Sequence, residues 1–168
     1  MVAPMVAAED PAVRAIVLLA GPAWTGRRVI ESQNRLAIGK HTEWPAARRD
    51  SLLGVAMTKV DSMGTSNPWM RFFLGHDPLP TVRRVRCPVL VMQGATDHQV
   101  DPAQAAELAK ALREGGNRDV TLNVLPGTNH LFLADTSGDP AGYAALAEKE
   151  IRPAVLDSIT GWLKVRLK

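Results

Sequence analysis

Three short apolar runs punctuate the chain, and glycine or proline closes each one. They are VRAIVLLAG at 13–21, VRCPVLVMQG at 85–94 and DVTLNVLPG at 119–127. Such runs, bounded by turn residues, predict strands buried on both faces, as in a parallel sheet. Between the second and third lies DPAQAAELAKALREGGN at 101–117, where the period changes. Ala105, Leu108, Ala109 and Leu112 recur at helical spacing and define one apolar face. Asp101 is suited to cap that helix, Pro102 to open it, and Gln104 holds the capping-box position. Gly115-Gly116 supplies the stop. Strand, helix, strand predicts a βαβ unit with a right-handed crossover. A last helix is expected from about Pro153, with Val155, Ile159, Trp162 and Leu163 as its buried stripe.

The stretch from Trp24 to about Leu74 reads differently. Helical stripes run through it, Val29-Ile30-Gln33-Leu36-Ala37 and Leu52-Leu53-Ala56-Val60, interrupted by Gly39, Pro45, Gly54 and Gly64. Several short helices are expected, inserted between two strands of one sheet over about residues 24–76. On the carboxyl side of an α/β sheet such an insertion tends to act as a lid. The expected fold is α/β and three-layered. It is one domain over 1–168, with about three parallel strands flanked by helices and a helical lid-like insertion.

Composition narrows the class of partner. With 168 residues, 46% apolar and 22% charged, the chain has the ordinary make-up of one globular domain. The net charge of +3 is small, and Arg27-Arg28, Arg48-Arg49 and Arg83-Arg84 are pairs without interleaved aromatics. Neither nucleic acid nor a membrane surface is expected as a partner. No apolar run approaches a membrane span, and MVAPMVAAED lacks the basic start of a signal peptide. Cys87 is the only cysteine, so an internal disulfide is excluded and a cysteine-based zinc site is not expected.

Two residues at strand ends suggest chemistry. Asp97 stands in GATDHQV, three residues after the second run, and His130 stands in GTNHLF, three residues after the glycine closing the third. Both fall at the carboxyl ends of neighbouring parallel strands, where α/β sheets place ligands. A carboxylate there can accept the Nδ1 proton of a histidine, fix its tautomer and stabilise the imidazolium. Singly, Asp97 fits an Asx-turn and His130 a solvated loop histidine. Together they point to an acid and a base. His98, with His130 and Asp135, lacks the compact spacing of a metal site, so no metal or other cofactor is expected. His41 and His76 read as surface or lid residues. Trp24, Trp44 and Trp69 read as packing residues or as the lining of an acyl pocket.

At this point the sequence resembles a known family. RCPVLVMQGATDHQVDPAQAAELAKAL at 86–112, followed by NVLPGTNHLF at 123–132, is similar to the C-terminal half of α/β-hydrolases. The likeness is strongest to the serine esterases and peptidases grouped around dienelactone hydrolase and prolyl oligopeptidase. NPWMRFFLGHDPLPTVRRVRCP at 67–88 resembles members with a helical insertion before the acid strand. The resemblance implies that Asp97 is the acid and His130 the base of a Ser-Asp-His triad, in the chain order of that fold. It also implies a small carboxylic ester as substrate.

One departure qualifies this. The family nucleophile is a serine in G-x-S-x-G on a strand-to-helix turn. No such motif occurs; the nearest, GTSNP at 64–68, ends in proline and follows no strand. MVAPMVAAEDP resembles the helix after that turn and VRAIVLLAG the next strand, so the chain is expected to begin just past the nucleophile. The expectation is an esterase-like hydrolase that keeps acid and base and is weakly active or inactive alone. The alternative is a non-catalytic self-associating domain or truncated fragment. Ser62 and Ser66 are the substitute nucleophiles to weigh against plain turn or cap roles. Water activated directly by His130 is a further route. An apolar first strand without its usual neighbour predicts a homo-oligomer formed through the exposed sheet edge, an element swap, or docking of a separate N-terminal half.

Overall fold

A computed structural model describes residues 2–167 of the chain. Its elements are α1 (Val2–Glu9), β1 (Ile16–Leu19), α2 (Gly26–Gly39), α3 (Ala46–Ser66), α4 (Pro68–Gly75), α5 (Leu79–Val82), β2 (Val89–Gly94), α6 (Ala103–Glu114), β3 (Val120–Leu125) and α7 (Pro153–Arg166). A 3-10 segment, Pro140–Ala145, precedes α7. Residues 24–77 form one compact unit, and the segments up to Ala23 and from Pro78 form a second.

The second unit is built on a three-stranded sheet of order β1-β2-β3, with β1 and β3 both parallel to β2. Every residue of β2 is buried, as a strand covered on both faces requires. Leu90 and Met92 pack with Ala20, Phe132, and Val155 and Trp162 of α7 in one cluster. Strand alternation turns Val89, Val91 and Gln93 to the other face, and α6 packs against β2 and β3. The three parallel strands flanked by helices expected from the apolar runs are therefore present.

Helix α6 also follows its sequence pattern, since Ala105, Leu108, Ala109 and Leu112 are all buried. Asp101 Oδ1 accepts the Ala103 N–H at 2.9 Å, which caps the first turn. Gln104 does not complete a capping box. Its buried Oε1 accepts the Ala23 N–H at 3.0 Å and ties the start of α6 to the chain leaving β1. In α7, Val155 and Trp162 are buried, with Ile159 and Leu163 packed against the same cluster. Trp162 Nε1 donates to Thr121 Oγ1 of β3 at 2.9 Å, so the indole is paired as well as buried.

The unit at 24–77 is helical. Thr25 Oγ1 accepts the Arg28 N–H at the start of α2, and Asn67 Oδ1 accepts the Met70 N–H at the start of α4. Gly26 lets α2 approach α4: a Cβ there would stand 2.5 Å from the Phe73 ring and from its carbonyl oxygen. Helix α3 departs from expectation. It runs unbroken for 21 residues through Gly54 and Gly64. One glycine in a helix interior costs only about 1 kcal/mol, less than packing along a buried face returns. That face is Leu53, Met57 and Gly64. The predicted stripes are correspondingly shifted: Leu36, Ala37 and Leu52 are exposed.

Candidate active site

The chain leaving β2 turns at once into the loop that carries Asp97, called the acid loop after its carboxyl group. Asp97 is 1% exposed and accepts four hydrogen bonds. Its Oδ1 takes the backbone N–H groups of Gln99 at 2.7 Å and Val100 at 2.9 Å. Its Oδ2 takes Gln93 Nε2 at 2.7 Å and His130 Nδ1 at 2.8 Å. A carboxylate only accepts, so the proton of that last bond resides on Nδ1 and Nε2 is left as an acceptor. The two residues singled out in the sequence are thus joined directly. The His130 side chain is 28% exposed, enough for its outer edge to meet solvent or a ligand.

The chain leaving β3 forms the loop that carries His130, called the base loop after its imidazole, and Asn129 organises it. Its fully buried side chain accepts the N–H groups of Leu131 at 2.9 Å and Leu133 at 3.1 Å, and donates to Asp135 Oδ2 at 3.2 Å. The turn closes through the Phe132 N–H to the Asn129 carbonyl at 3.0 Å, with Phe132 at φ 61°. Left-handed backbone at a bulky residue is strained, and here the surrounding bonds hold it. The two loops are stitched by the Thr96 N–H to the Thr128 carbonyl, 3.1 Å, and by Thr96 Oγ1 to the Asp135 carbonyl, 2.6 Å. Arg152 donates to the Pro126 carbonyl at 2.7 Å and to Thr128 Oγ1. The Tyr143 hydroxyl lies 3.5 Å from Gln99 Nε2, against the loop of Asp97. Burial pushes the Tyr143 phenol upward.

Burial alone would raise the Asp135 carboxyl. The Gly138 and Ser137 amides, the Ser137 hydroxyl and the Asn129 amide outweigh it and hold the group below its ordinary 3.8. A depressed folded-state pKa stabilises the fold above the unfolded value, and that contribution is lost as pH falls through the folded value. Stability is therefore expected to drop on acidification below about pH 4. Asp135→Asn should start from a lower plateau and show a flatter acid limb. Urea-unfolding midpoints along a pH series read this, and an unchanged limb would contradict it.

Other candidates fall elsewhere. Ser62 and Ser66 lie in α3, in the other unit, and the exposed Ser62 hydroxyl donates to the Lys59 carbonyl at 2.7 Å. His98 adjoins Asp97, and its buried Nδ1 has no hydrogen-bond partner among the described residues. Among the described residues no three His, Cys, Asp or Glu groups are placed to hold a metal ion. His41 stacks on Trp44 at 3.9 Å and His76 on Phe72 at 4.7 Å. Trp69 stacks on Phe73 at 5.4 Å and is 64% exposed. Gln93, Asn129, Asp135 and Tyr143 support this site, and no motif in the sequence marks them for that role. Asn129 and Asp135 flank His130 in a short segment, which is the one local hint the chain offered.

A parallel sheet between helices, with an acid and a histidine on loops at adjacent strand ends, is part of an α/β-hydrolase fold. Within that class the chain belongs to the prolyl oligopeptidase family, which it matches over residues 48–148. Solved structures share the fold. An esterase from Pyrococcus furiosus superposes with a TM-score of 0.57 at 15% identity, covering 99% of this chain and 50% of the esterase. A Mycobacterium tuberculosis protein provisionally called a non-heme bromoperoxidase gives 0.53 at 17% identity, with 99% and 63% of the two chains covered. An E-2-(acetamidomethylene)succinate hydrolase gives 0.51 at 17%, with 96% and 62% covered. The chain thus spans about half the length of the Pyrococcus esterase. No curated protein is similar enough to match it.

Proposed function

We propose that the chain carries the acid and base of a serine-type carboxylic-ester hydrolase, and that alone it is weakly active or inactive. The contact between His130 Nδ1 and Asp97 Oδ2 at 2.8 Å carries this reading. In that role His130 Nε2 takes the proton of an attacking hydroxyl while Asp97 stabilises the imidazolium, and the imidazolium then returns the proton to the leaving alkoxide. Esters are chosen as substrate because a solved protein of this fold is an esterase. Reduced activity follows from the absence of G-x-S-x-G in the sequence. His130→Ala is expected to bring any hydrolysis of p-nitrophenyl acetate down to the uncatalysed rate, and a fluorophosphonate probe is expected to label no serine. Full hydrolysis by the variant would remove His130 from the chemistry. A labelled serine would show that a substitute nucleophile exists.

The free edge of β1 favours a second reading, a domain that self-associates. Among the described residues β1 pairs only with β2, and Leu19 at its end is 47% exposed. An unpaired apolar edge recruits another strand. A second copy of the chain fits, edge to edge about a two-fold axis. Light scattering is expected to show a dimer that Leu19→Lys weakens; a monomer at all concentrations would exclude this reading.

A further inference from the structure

Gln93 lies near the carboxyl end of the central strand and is fully buried. Alternation places it on one sheet face with Val89 and Val91, where an apolar residue would be the ordinary choice. A buried amide is costly unless both its ends are paired. Here one end is. Nε2 donates to Asp97 Oδ2 at 2.7 Å and to the Val100 carbonyl at 3.1 Å, while Oε1 has no hydrogen-bond partner among the described residues. The orientation has no alternative, because a reversed amide would set Oε1 against a carboxylate and a carbonyl, both acceptors. Stability alone does not explain a glutamine in this place. What distinguishes it is the bond it gives to Asp97.

We propose that Gln93 is a positioning residue for His130. Two backbone N–H groups hold Asp97 Oδ1, but among the described residues, besides His130, only Gln93 holds Oδ2. The amide fixes the tilt of the carboxylate at which the imidazole meets the same oxygen. Without it, Oδ2 is anchored only by the ring it is meant to orient. The inference rests on Asp97 and His130 being acid and base. It adds that the central strand itself, through Gln93, sets the direction of that base.

Proton–nitrogen NMR of the imidazole rings in the full chain tests this without requiring activity. Wild-type His130, when neutral, is expected to carry its proton on Nδ1. Gln93→Met keeps the side-chain length and removes the donor. It should give a mixture of the two tautomers and loss of the resolved Nδ1 proton signal. Gln93→Glu places an acceptor against Asp97 and should change the ring more. A wild-type tautomer in either variant, with the backbone amide spectrum showing an intact fold, overturns the proposal. One measurement needs no variant. The Gln93 Nε2 protons and the His130 Nδ1 proton point at one oxygen, so a nuclear Overhauser contact between them is expected, and its absence also overturns it. A wild-type His130 protonated on Nε2 alone would instead refute the acid–base reading itself, a different result from an Nδ1 proton indifferent to Gln93.

Discussion

Asp97→Ala is expected to destabilise the chain by about 3–5 kcal/mol, since each buried donor left unpaired costs about 1–3 kcal/mol. The carboxylate is 1% exposed and sits at the centre of four donors. Removing it strands the Val100 N–H and one of the two Gln93 Nε2 protons in the interior, the other still meeting the Val100 carbonyl, and the Gln99 N–H at its margin. It also frees His130, whose Nδ1 loses its acceptor. A lower urea midpoint at constant slope reads the first effect, and the His130 tautomer reads the second. Asp97→Asn should fall between the two proteins. It keeps the shape and two acceptor sites but turns an amide N–H₂ toward a group that is itself a donor. A change within about 1 kcal/mol for Asp97→Ala would mean that the acid loop is held by other contacts.

The sequence disclosed this site unevenly, for a physical reason. Strand β2 and helices α6 and α7 follow from their apolar patterns because those patterns report burial. Strands β1 and β3 form where expected but are not buried on both faces, since they lie at the sheet edges, β1 exposing Leu19 and β3 having no buried residue and exposing Val124. Asp97 and His130 were legible as positions: each lies just past a strand end, and parallel strands bring their carboxyl ends together. The supports were not legible. Gln93 reads in sequence as a polar residue ending an apolar run, and only the approach of Asp97 gives its amide a partner. Gln104 had a sound local role as a capping residue, yet a tertiary partner, the Ala23 N–H, took its oxygen. Asn129 and Asp135 are bonded to each other and to the backbone between and beyond them, a pattern that depends on a loop conformation no period encodes. Glycines misled in the opposite direction. Gly54 and Gly64 read as breaks, but α3 passes through both because its neighbours in the unit at 24–77 hold it.

Gly94→Ala is expected to cost about 3 kcal/mol or more, the upper range for a methyl forced into packed surroundings. It should also separate His130 from Asp97 even where the fold survives. Gly94 ends β2, and its missing Cβ would stand 2.2 Å from the Thr128 carbonyl oxygen and 2.6 Å from that of Asn129. Neither atom is the far end of a flexible side chain. Thr128 and Asn129 are fully buried, the first carbonyl accepts the Thr96 N–H and the second closes the turn at Phe132. Relief requires the whole base loop to retreat on the order of an ångström. That retreat stretches the 2.8 Å bond from His130 to Asp97. Gly54→Ala is the control. A Cβ there meets nothing within 4 Å, and alanine in a helix interior should stabilise by about 0.5–1 kcal/mol. If both substitutions moved the unfolding midpoint the same way, the close approach of β2 to the base loop would not be what holds His130 in place. Opposite signs, with His130 disturbed only by Gly94→Ala, would identify the end of the central strand as the surface on which His130 is seated.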